Sequence, residues 1–366
     1  MIGLAEAQWD AGGEVRIICG EGSPANALHP PRVPVQRGRI LPLPHALPGR
    51  KLRNLLTEGA RWAEVVHVHG LWTGIGSAAM TQGIRKSGAV VLSPRGMLDY
   101  GNVRNRPWFK RTYLACRDGA LLAKLSGLHF LDDSEYEDSR WYQPVERPER
   151  LILPNGIDLR QIDRALDGAS HPFEDGKEVG GKKPVHLVFM GRLHPIKGLE
   201  LQLEVVRKLR ERGRRAVLHW IGPDDGEWAG LRDFAADLGV AESLVWHGAI
   251  YGEDRLAFLQ QADAVLLTSH YDCNSNAAAE TLGVGGLLVG TDTCHLDRVK
   301  VAGGALVVPR ETGAVVEALE SILDDCARQR QVRKAARQFA EEQLDLRQTA
   351  RTMLNFYGEL LQRRGS

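Results

Sequence analysis

Residues 185–198 read VHLVFMGRLHPIKG, and this stretch decides the fold. Its first six residues are mostly apolar, which predicts a short buried strand, and glycines at 191 and 198 bracket the turn that follows. Segments of the same kind recur along the chain, with helical segments between them. Strands that alternate with helices predict parallel sheets and an α/β fold. The predicted strands lie at 14–19, 64–68, 90–92, within 120–131, and at 151–153, 185–190, 216–221, 244–247, 264–268, 287–289 and 305–308.

The length of the chain predicts two domains, because 366 residues exceed one ordinary hydrophobic core. Residues 165–184 are rich in glycine, lysine and acidic residues and lack periodicity, which predicts an exposed linker. We therefore expect an N-terminal domain at 1–164 and a C-terminal domain at 185–345. Apolar residues recur at helical spacing near the end of the chain, so residues 346–366 are predicted to form a long amphipathic helix.

The start of the chain departs from the usual order of a parallel α/β domain. Residues 1–11 predict a helix that precedes the first strand, whereas such a domain normally opens with a strand. We expect the N-terminal domain to lack its first strand and the loop behind it, which would lie upstream. The alternative is a domain that simply begins with a helix.

Composition narrows the classes of function. The 47 Lys+Arg and 46 Asp+Glu residues give a formal charge of +1, which argues against a nucleic-acid binder. Five scattered cysteines without a C-x-x-C pair predict neither a disulfide framework nor a zinc ribbon. No apolar run approaches the roughly 20 residues that span a bilayer, and no signal peptide opens the chain. We expect a cytoplasmic protein whose membrane contact, if any, is peripheral and at the inner face.

The turn after the strand at 185–190 is the first candidate site, because ligands of parallel sheets gather at the carboxyl ends of strands. Gly191 frees the backbone there, and Arg192 and Lys197 supply two cations that can neutralise a diphosphate. The turn is not a G-x-G-x-x-G fingerprint, which disfavours a dinucleotide cofactor. The alternative interpretation is a solvated basic turn.

The second candidate site follows the strand at 264–268 and reads SHYDCNSNAAAE from 269 to 280. Its helix start predicts an anion site built on backbone amides. Asp272 and Glu280 flank this site, which makes electrostatic sense if they accept hydroxyl groups of a sugar and a ribose. The alternative makes Asp272 a helix cap and Glu280 a dipole-compensating acid. The small polar residues Asn274, Ser275 and Asn276 lead into the alanine-rich helix start.

The first half of the chain offers a second set of strand-end residues. His67 and His69 alternate onto one face of a strand, but no third metal ligand is evident nearby, so no metal site is predicted. His69 and Arg95 each follow the end of a strand and are expected to contact a ligand in a cleft. A basic and aromatic segment at 104–111 suits a membrane surface or a polar-headed lipid, or else a solvated helix start.

Together these segments resemble glycosyltransferase family 4, the group 1 glycosyltransferases, over nearly the whole chain. The resemblance rests on the order and spacing of short motifs rather than on any one of them. They are HVHGLW (67–72), SPRGMLD (93–99), LPNGID (153–158), FMGRLHPIKG (189–198), WIGPDDG (220–226), the two acids at 272 and 280, and GVGGLLVGTD (283–292).

The resemblance implies a GT-B fold of two facing Rossmann-like domains, with the nucleotide-sugar donor bound mainly by the C-terminal one. It implies that Arg192 and Lys197 hold the donor diphosphate, that Glu280 holds the ribose, and that Asp272 meets the transferred sugar. It further implies that the amides of 274–276 meet phosphate or sugar, and that the region around His247 and Gly248 lies near the base.

The resemblance also implies a hexosyltransferase-like reaction with retention, without a metal or a resident cofactor, because the nucleotide-sugar is a substrate. The acceptor, a glycan or lipid-linked molecule of surface polysaccharide synthesis, would pass His69 and Arg95, and the final helix would cross back to the first domain. Asp272 stands where the family usually has Glu, and Arg95 where it commonly has His. The alternatives are a non-catalytic nucleotide-sugar binding or scaffold protein, a truncated inactive homologue, and a nucleotide-sugar epimerase.

Overall fold

The computed structural model describes residues 1–21, 31–41, 47–86, 88–98, 108, 112–114, 118–142, 148–168, 171–173 and 183–365. Contacts divide the chain into two compact units. Unit 1 comprises Met1–Gly156 and Leu346–Ser366, and unit 2 comprises Ile157–Asp345. Among the described residues, no helix combines the length and the apolar character that a bilayer crossing requires.

Strands and helices alternate in both units, as the sequence predicts. The strands are β1 (Ile17–Gly20), β2 (Val35–Gly38), β3 (Val65–His69), β4 (Ala89–Ser93), β5 (Gly127–Phe130), β6 (Glu149–Ile152), β7 (Val185–Met190), β8 (Ala216–Ile221), β9 (Leu244–Trp246), β10 (Ala264–Leu267), β11 (Leu288–Thr291) and β12 (Ala305–Val308). The helices are α1 (Ile2–Asp10), α2 (Arg50–Trp62), α3 (Gly74–Arg85), α4 (Gly119–Leu122), α5 (Asp133–Ser139), α6 (Leu159–Leu166), α7 (Leu199–Glu211), α8 (Trp228–Asp237), α9 (Asp254–Gln261), α10 (Asn276–Gly283), α11 (Asp297–Val301), α12 (Thr312–Leu323), α13 (Cys326–Gln343) and α14 (Leu346–Gly365).

The sheet of unit 2 has six parallel strands in the order β12-β11-β10-β7-β8-β9. Its central strands are buried on both faces. In β7, Leu187 and Phe189 join one hydrophobic core, whereas Val188 points into the core on the opposite face. Strands covered by helices on both faces read as continuous apolar runs, which explains the VHLVFM pattern. The order of the sheet places β7 beside β10, so the two predicted loops of this unit start at neighbouring strand ends.

Unit 1 contains a four-stranded parallel sheet in the order β3-β4-β5-β6 and a separate parallel pair, β1-β2. Parallel sheets in two α/β units confirm the predicted fold class. Helix α1 precedes β1, as expected, and in the described part of the chain no strand pairs with both β1 and β3. The expectation of a further strand upstream concerns residues outside this sequence and stays a prediction.

The boundary between the units differs from the prediction, which placed it at 164. The structure places it after Gly156, because Leu159 and Ile162 of α6 pack into a core of unit 2. Most of the predicted linker lies outside the described residues. Phe173, however, is buried and its ring stacks on His186 with centroids 4.5 Å apart, so this part is not exposed.

The last helix, α14, belongs to unit 1. Its residues Met353, Phe356 and Leu360 are buried against Ala89 and Val91 of β4. The apolar spacing at the end of the sequence therefore corresponds to one buried face of a helix that packs on the sheet of the first unit.

Candidate functional site

The predicted acid and cation of unit 2 are in direct contact. Lys197 Nζ lies 2.6 Å from Asp272 Oδ2, and the two side chains are only 20% and 12% exposed. Ser269 Oγ donates a second, longer hydrogen bond of 3.3 Å to the same carboxylate oxygen. The loops after β7 and β10, 75 residues apart in sequence, thus form one site at the carboxyl edge of the sheet.

The loop that bears Lys197 is held to the segment after β10 by hydrogen bonds to its backbone carbonyls. The amide of His270 donates to the carbonyl of Ile196 at 2.8 Å, and Thr268 Oγ1 donates to the carbonyl of Gly198 at 3.1 Å. Gly198 has φ +59°, and a Cβ there would lie 2.5 Å from the carbonyl oxygen of Thr268. Glycine is required at 198 because this close approach and the left-handed backbone both exclude a side chain.

Arg192 does not share the Lys197 contact. Its guanidinium forms a short ion pair with Asp225, in the loop after β8, and both side chains are about half-exposed. The two predicted cations therefore have different acidic partners. A role for Arg192 at a diphosphate stays a prediction.

Glu280 has a cationic partner that the sequence did not indicate. Arg255 of α9 binds its carboxylate with both ends of the guanidinium fork, Nη2 to Oε1 at 2.7 Å and Nε to Oε2 at 2.9 Å. Arg255 Nη1 also donates to the carbonyl of Gly252. The motifs carried no signal for this arginine, since it lies on an ordinary helix start 25 residues before Glu280.

These ion pairs explain how two carboxylates can lie beside a site for an anionic ligand. Two uncompensated carboxylates beside an anion site would repel a diphosphate. Here Asp272 is paired with Lys197, and Glu280 with Arg255. Each acid can still accept hydrogen bonds from hydroxyl groups, because a carboxylate has more acceptor positions than one cation fills.

The helix start between the two acids has the backbone of the predicted amide site. Helix α10 begins at Asn276, with Ser275 as the N-cap and Asn274 in the left-handed region at φ +54°. Amides of a first helical turn have no acceptor within the helix and favour anions. The following alanines, Ala277–Ala279 in sequence, are buried, so small side chains let α10 pack closely on the sheet.

Arg310, two residues beyond β12, is a second residue at this site that the sequence did not indicate. Its Nε donates to the carbonyl of Thr268 at 3.0 Å, and its Nη2 lies 3.2 Å from His270 Nε2. Burial, and then the charge of Arg310, lower the pKa of His270. Arg310 therefore braces the start of the loop that carries Asp272.

His247 and Gly248 lie beyond β9, where the ring of His247 ends a row of three histidines. His186 Nδ1 contacts His219 Nε2, and His219 Nδ1 contacts His247 Nε2, both at 3.0 Å. Burial lowers the pKa of His247 and, with the neighbouring histidines, lowers that of His219 to about 3. The carbonyl of Gly248 accepts from the amide of Gly222 at 2.7 Å. Contact with a nucleotide base stays a prediction.

In unit 1 the structure brings His69 and Arg95 together at the carboxyl edge of the β3–β4 pair. Arg95 Nε and Nη2 lie 3.3 and 3.2 Å from His69 Nδ1, and Arg95 Nη1 donates to Asn155 Oδ1 at 2.6 Å. Arg95 adopts a left-handed backbone with φ +58°. Asn155 belongs to the LPNGID motif, but the sequence alone did not place it next to Arg95.

The rings of His67 and His69 stack with centroids 4.2 Å apart. Both nitrogens of His67 contact hydroxyl groups, those of Tyr357 and Ser93. Of the basic and aromatic segment at 104–111, the structure describes Trp108, whose side chain is 84% exposed, and the rest lies outside the described residues.

The chain is similar in sequence or in fold to several known proteins. The glycogen synthase of Mycobacterium tuberculosis (strain ATCC 25618 / H37Rv) is 28% identical over 210 residues, 57% of this chain and 50% of the relative. The chain thus spans about half the length of the curated relatives it matches. Anabaena HepE in complex with UDP superposes with a TM-score of 0.74 at 14% identity, covering 98% of this chain and 96% of that one. Sucrose-phosphate synthase from Thermosynechococcus elongatus gives 0.70 at 17%, covering 98% and 92%.

Two family models match the two halves of the chain. The model described as "Glycosyl transferase 4-like domain" matches residues 3–156, and the model described as "Glycosyl transferases group 1" matches residues 172–339. The first match stays within unit 1, and the second within unit 2. The chain belongs to the group 1 glycosyltransferases.

Proposed function

We propose that this chain is a retaining glycosyltransferase that moves a sugar from a nucleotide-sugar donor to a glycan or lipid-linked acceptor. The observation that carries the proposal is the contact of Lys197 with Asp272 at the edge of the unit 2 sheet. It supplies a cation for the diphosphate and a carboxylate for the sugar at one place. The bidentate pair of Arg255 and Glu280 provides a second carboxylate for the ribose.

In the proposed reaction, the bond between the anomeric carbon and the phosphate oxygen breaks and negative charge develops on the departing diphosphate. The anomeric carbon forms its new bond to an acceptor hydroxyl oxygen on the same face, and the proton of that hydroxyl passes to the departing diphosphate. The ammonium of Lys197 and the first-turn amides of α10 are positioned cationic and dipolar groups that stabilise such charge. In our proposal, protein groups stabilise this negative charge, so no step is assigned to a metal. Asp272 Oδ2 already accepts from Lys197 and Ser269, so we assign Asp272 Oδ1 to a sugar hydroxyl.

On the acceptor side we assign His69 and Arg95 of unit 1. We place the reaction in surface polysaccharide or lipid-linked glycan synthesis on the cytoplasmic side of the membrane. The scattered cysteines support a reducing compartment. The exposed Trp108 within the basic segment at 104–111 supports peripheral contact with a polar-headed lipid surface.

The test is a panel of UDP-, GDP-, ADP- and dTDP-sugars, scored first by thermal shift and then by product formation. A UDP-sugar is tried first, because the similar Anabaena protein binds UDP. We expect one nucleotide class to raise the melting temperature, since a ligand that binds only the folded state stabilises it. We further expect release of the nucleoside diphosphate to accelerate when a glycan acceptor is added.

Other outcomes would contradict the proposal. Binding without turnover under any acceptor would indicate a nucleotide-sugar binding or scaffold protein. Conversion of the donor sugar in the absence of an acceptor would indicate an epimerase. Failure of every nucleotide class to bind a folded sample would remove the assigned donor site altogether.

Arg255→Gln is expected to weaken binding of the nucleoside diphosphate about tenfold or more. The change leaves the Glu280 carboxylate, whose side chain is 18% exposed, without its cation, so an uncompensated charge then faces the ligand. Hydrogen bonds to charged groups contribute about 1.5–3 kcal/mol. Calorimetric titration with UDP checks this prediction. Arg232→Gln is the control, because it breaks an exposed pair with Asp233 and should leave the affinity unchanged.

A further inference from the structure

A row of consecutive hydrogen bonds runs through unit 1 next to His69. The last acceptor in this row determines the direction of every bond in it. His129 Nε2 contacts the carbonyl oxygen of Leu153 at 2.8 Å. A carbonyl can only accept, so the proton lies on Nε2 of His129, and Nδ1 of the neutral ring is an acceptor. Ser93 Oγ, 2.7 Å from that Nδ1, must therefore donate to it.

The directions of the remaining bonds, as far as the final helix, are determined in the same way. Ser93 Oγ has used its proton on His129 and must accept from His67 Nε2, which lies 2.7 Å away. His67 therefore carries its proton on Nε2, and its Nδ1 accepts from the hydroxyl of Tyr357 at 2.5 Å. Gln8 Nε2 lies 3.5 Å from the same hydroxyl and donates to it. All donors point one way, from α1 and α14 to the carbonyl of Leu153.

Ring protonation states agree with this order. Burial lowers the pKa of His129 to about 4, and burial together with the neighbouring cationic groups lowers that of His67 well below its ordinary value. Burial also raises the pKa of Tyr357, which keeps its hydroxyl proton available to donate. Both histidines are therefore neutral at physiological pH, each with a single N–H.

His69 has a defined tautomer for an independent reason. Arg95 has only donors, so the contacts of its Nε and Nη2 with His69 Nδ1 require that Nδ1 be unprotonated. Desolvation by burial and the charge of Arg95 lower the pKa of His69 well below its ordinary value. The neutral ring then carries its proton on Nε2, and it lies flat on the ring of His67.

We propose that Tyr357 is a positioning residue that holds His67, and through the stacked rings holds His69 as a neutral Nε2–H donor to an oxygen atom of the bound substrate. The inference rests on the proposed function for the identity of the substrate, a hydroxylated or phosphorylated sugar compound. It assigns His69 no role as a general base, because its only ring lone pair is engaged by Arg95. The row of bonds delivers no proton either, since it ends at a carbonyl.

The first measurement uses the full chain without ligand, labelled with ¹⁵N at histidine. Nitrogen chemical shifts distinguish a protonated from an unprotonated ring nitrogen. At neutral pH we expect His67, His69 and His129 all to show a protonated Nε2 and an unprotonated Nδ1. Protonation of Nδ1 in His67 or His69 would overturn the proposal, and this result does not depend on any enzymatic activity.

The second measurement compares Tyr357→Phe with Tyr113→Phe. The hydroxyl of Tyr113 also makes a buried contact in unit 1, with Ser77 Oγ at 3.0 Å, but it lies outside the row. We expect Tyr357→Phe to shift the His67 and His69 resonances and to lower kcat about threefold to tenfold, as the loss of one hydrogen bond predicts, with KM for the donor unchanged. Tyr113→Phe should leave the spectrum and kcat near wild type.

Identical spectra and rates for the two variants would overturn the positioning role. If Tyr357→Phe does not fold, the wild-type spectrum still decides the tautomers. A wild-type chain that shows the expected tautomers but no transfer of any sugar would contradict the proposed function and leave the hydrogen-bond order intact.

Discussion

Lys197→Ala is expected to weaken nucleoside diphosphate binding by about tenfold to a hundredfold. The substitution removes a charge-assisted contact with phosphate, which contributes about 1.5–3 kcal/mol. It also leaves the carboxylate of Asp272, whose side chain is 12% exposed, without a cation next to an anionic ligand. Both effects act in the same direction, so we expect this variant to have the largest effect on affinity. Calorimetric titration with UDP measures it.

A double variant separates the two effects. Lys197→Ala with Asp272→Asn removes the cation and the unpaired charge together, so it should bind UDP more tightly than Lys197→Ala alone. Lys208→Ala is the matched control, because Lys208 forms an exposed pair with Glu211 on α7 and should not change the affinity. Wild-type affinity in Lys197→Ala would show that the donor diphosphate does not bind at this loop.

Gly222→Ala is expected to destabilise unit 2 strongly and to displace the loop that begins at Gly191. A Cβ at 222 would lie 1.8 Å from the carbonyl oxygen of Gly191, and its φ is +151°. The backbone fixes the positions of both the added Cβ and the carbonyl oxygen, so no side-chain rotation relieves the overlap. We expect a loss of about 3 kcal/mol or more in the free energy of unfolding, because overpacking and backbone strain act together at this position. Urea unfolding measures the loss.

Gly226→Ala controls for the backbone angle. Gly226 also has a positive φ, +96°, but a Cβ there meets nothing within 4 Å. This variant should lose only the cost of a left-handed alanine, about 1–2 kcal/mol. Equal stabilities of the two variants, with equal UDP affinity, would contradict the close approach of Gly222 to the start of the loop.

Much of the architecture could be predicted because the relevant patterns are local. The VHLVFM run at β7, the other apolar runs and the helical spacing in α14 each depend on neighbours a few residues away. Their alternation was enough to predict two α/β domains with parallel sheets. The position of the boundary between the two units could not be predicted from local patterns. It depends on Leu159 and Ile162 packing into a core formed mainly by residues after 185.

Candidate site residues were likewise predictable as strand-end loops, since parallel sheets collect ligands at one edge. The sequence by itself determined that Lys197, Asp272 and Glu280 lie near that edge. Only the tertiary structure decided which charges pair. The order of β7 and β10 brings Lys197 to Asp272, and α9 brings Arg255 to Glu280.

The row of hydrogen bonds in unit 1 also shows the difference between what the sequence predicts and what only the tertiary structure decides. The sequence predicted that His67 and His69 lie on the same face, because a strand places alternate residues on one face. The tautomer of His67 depends on Tyr357, 290 residues beyond it, and on a carbonyl at the end of β6, whereas that of His69 depends on Arg95. Residue type and spacing set which groups a segment offers. Which partner each group meets is decided by the packing of distant elements, since a hydrogen bond requires contact within about 3.5 Å.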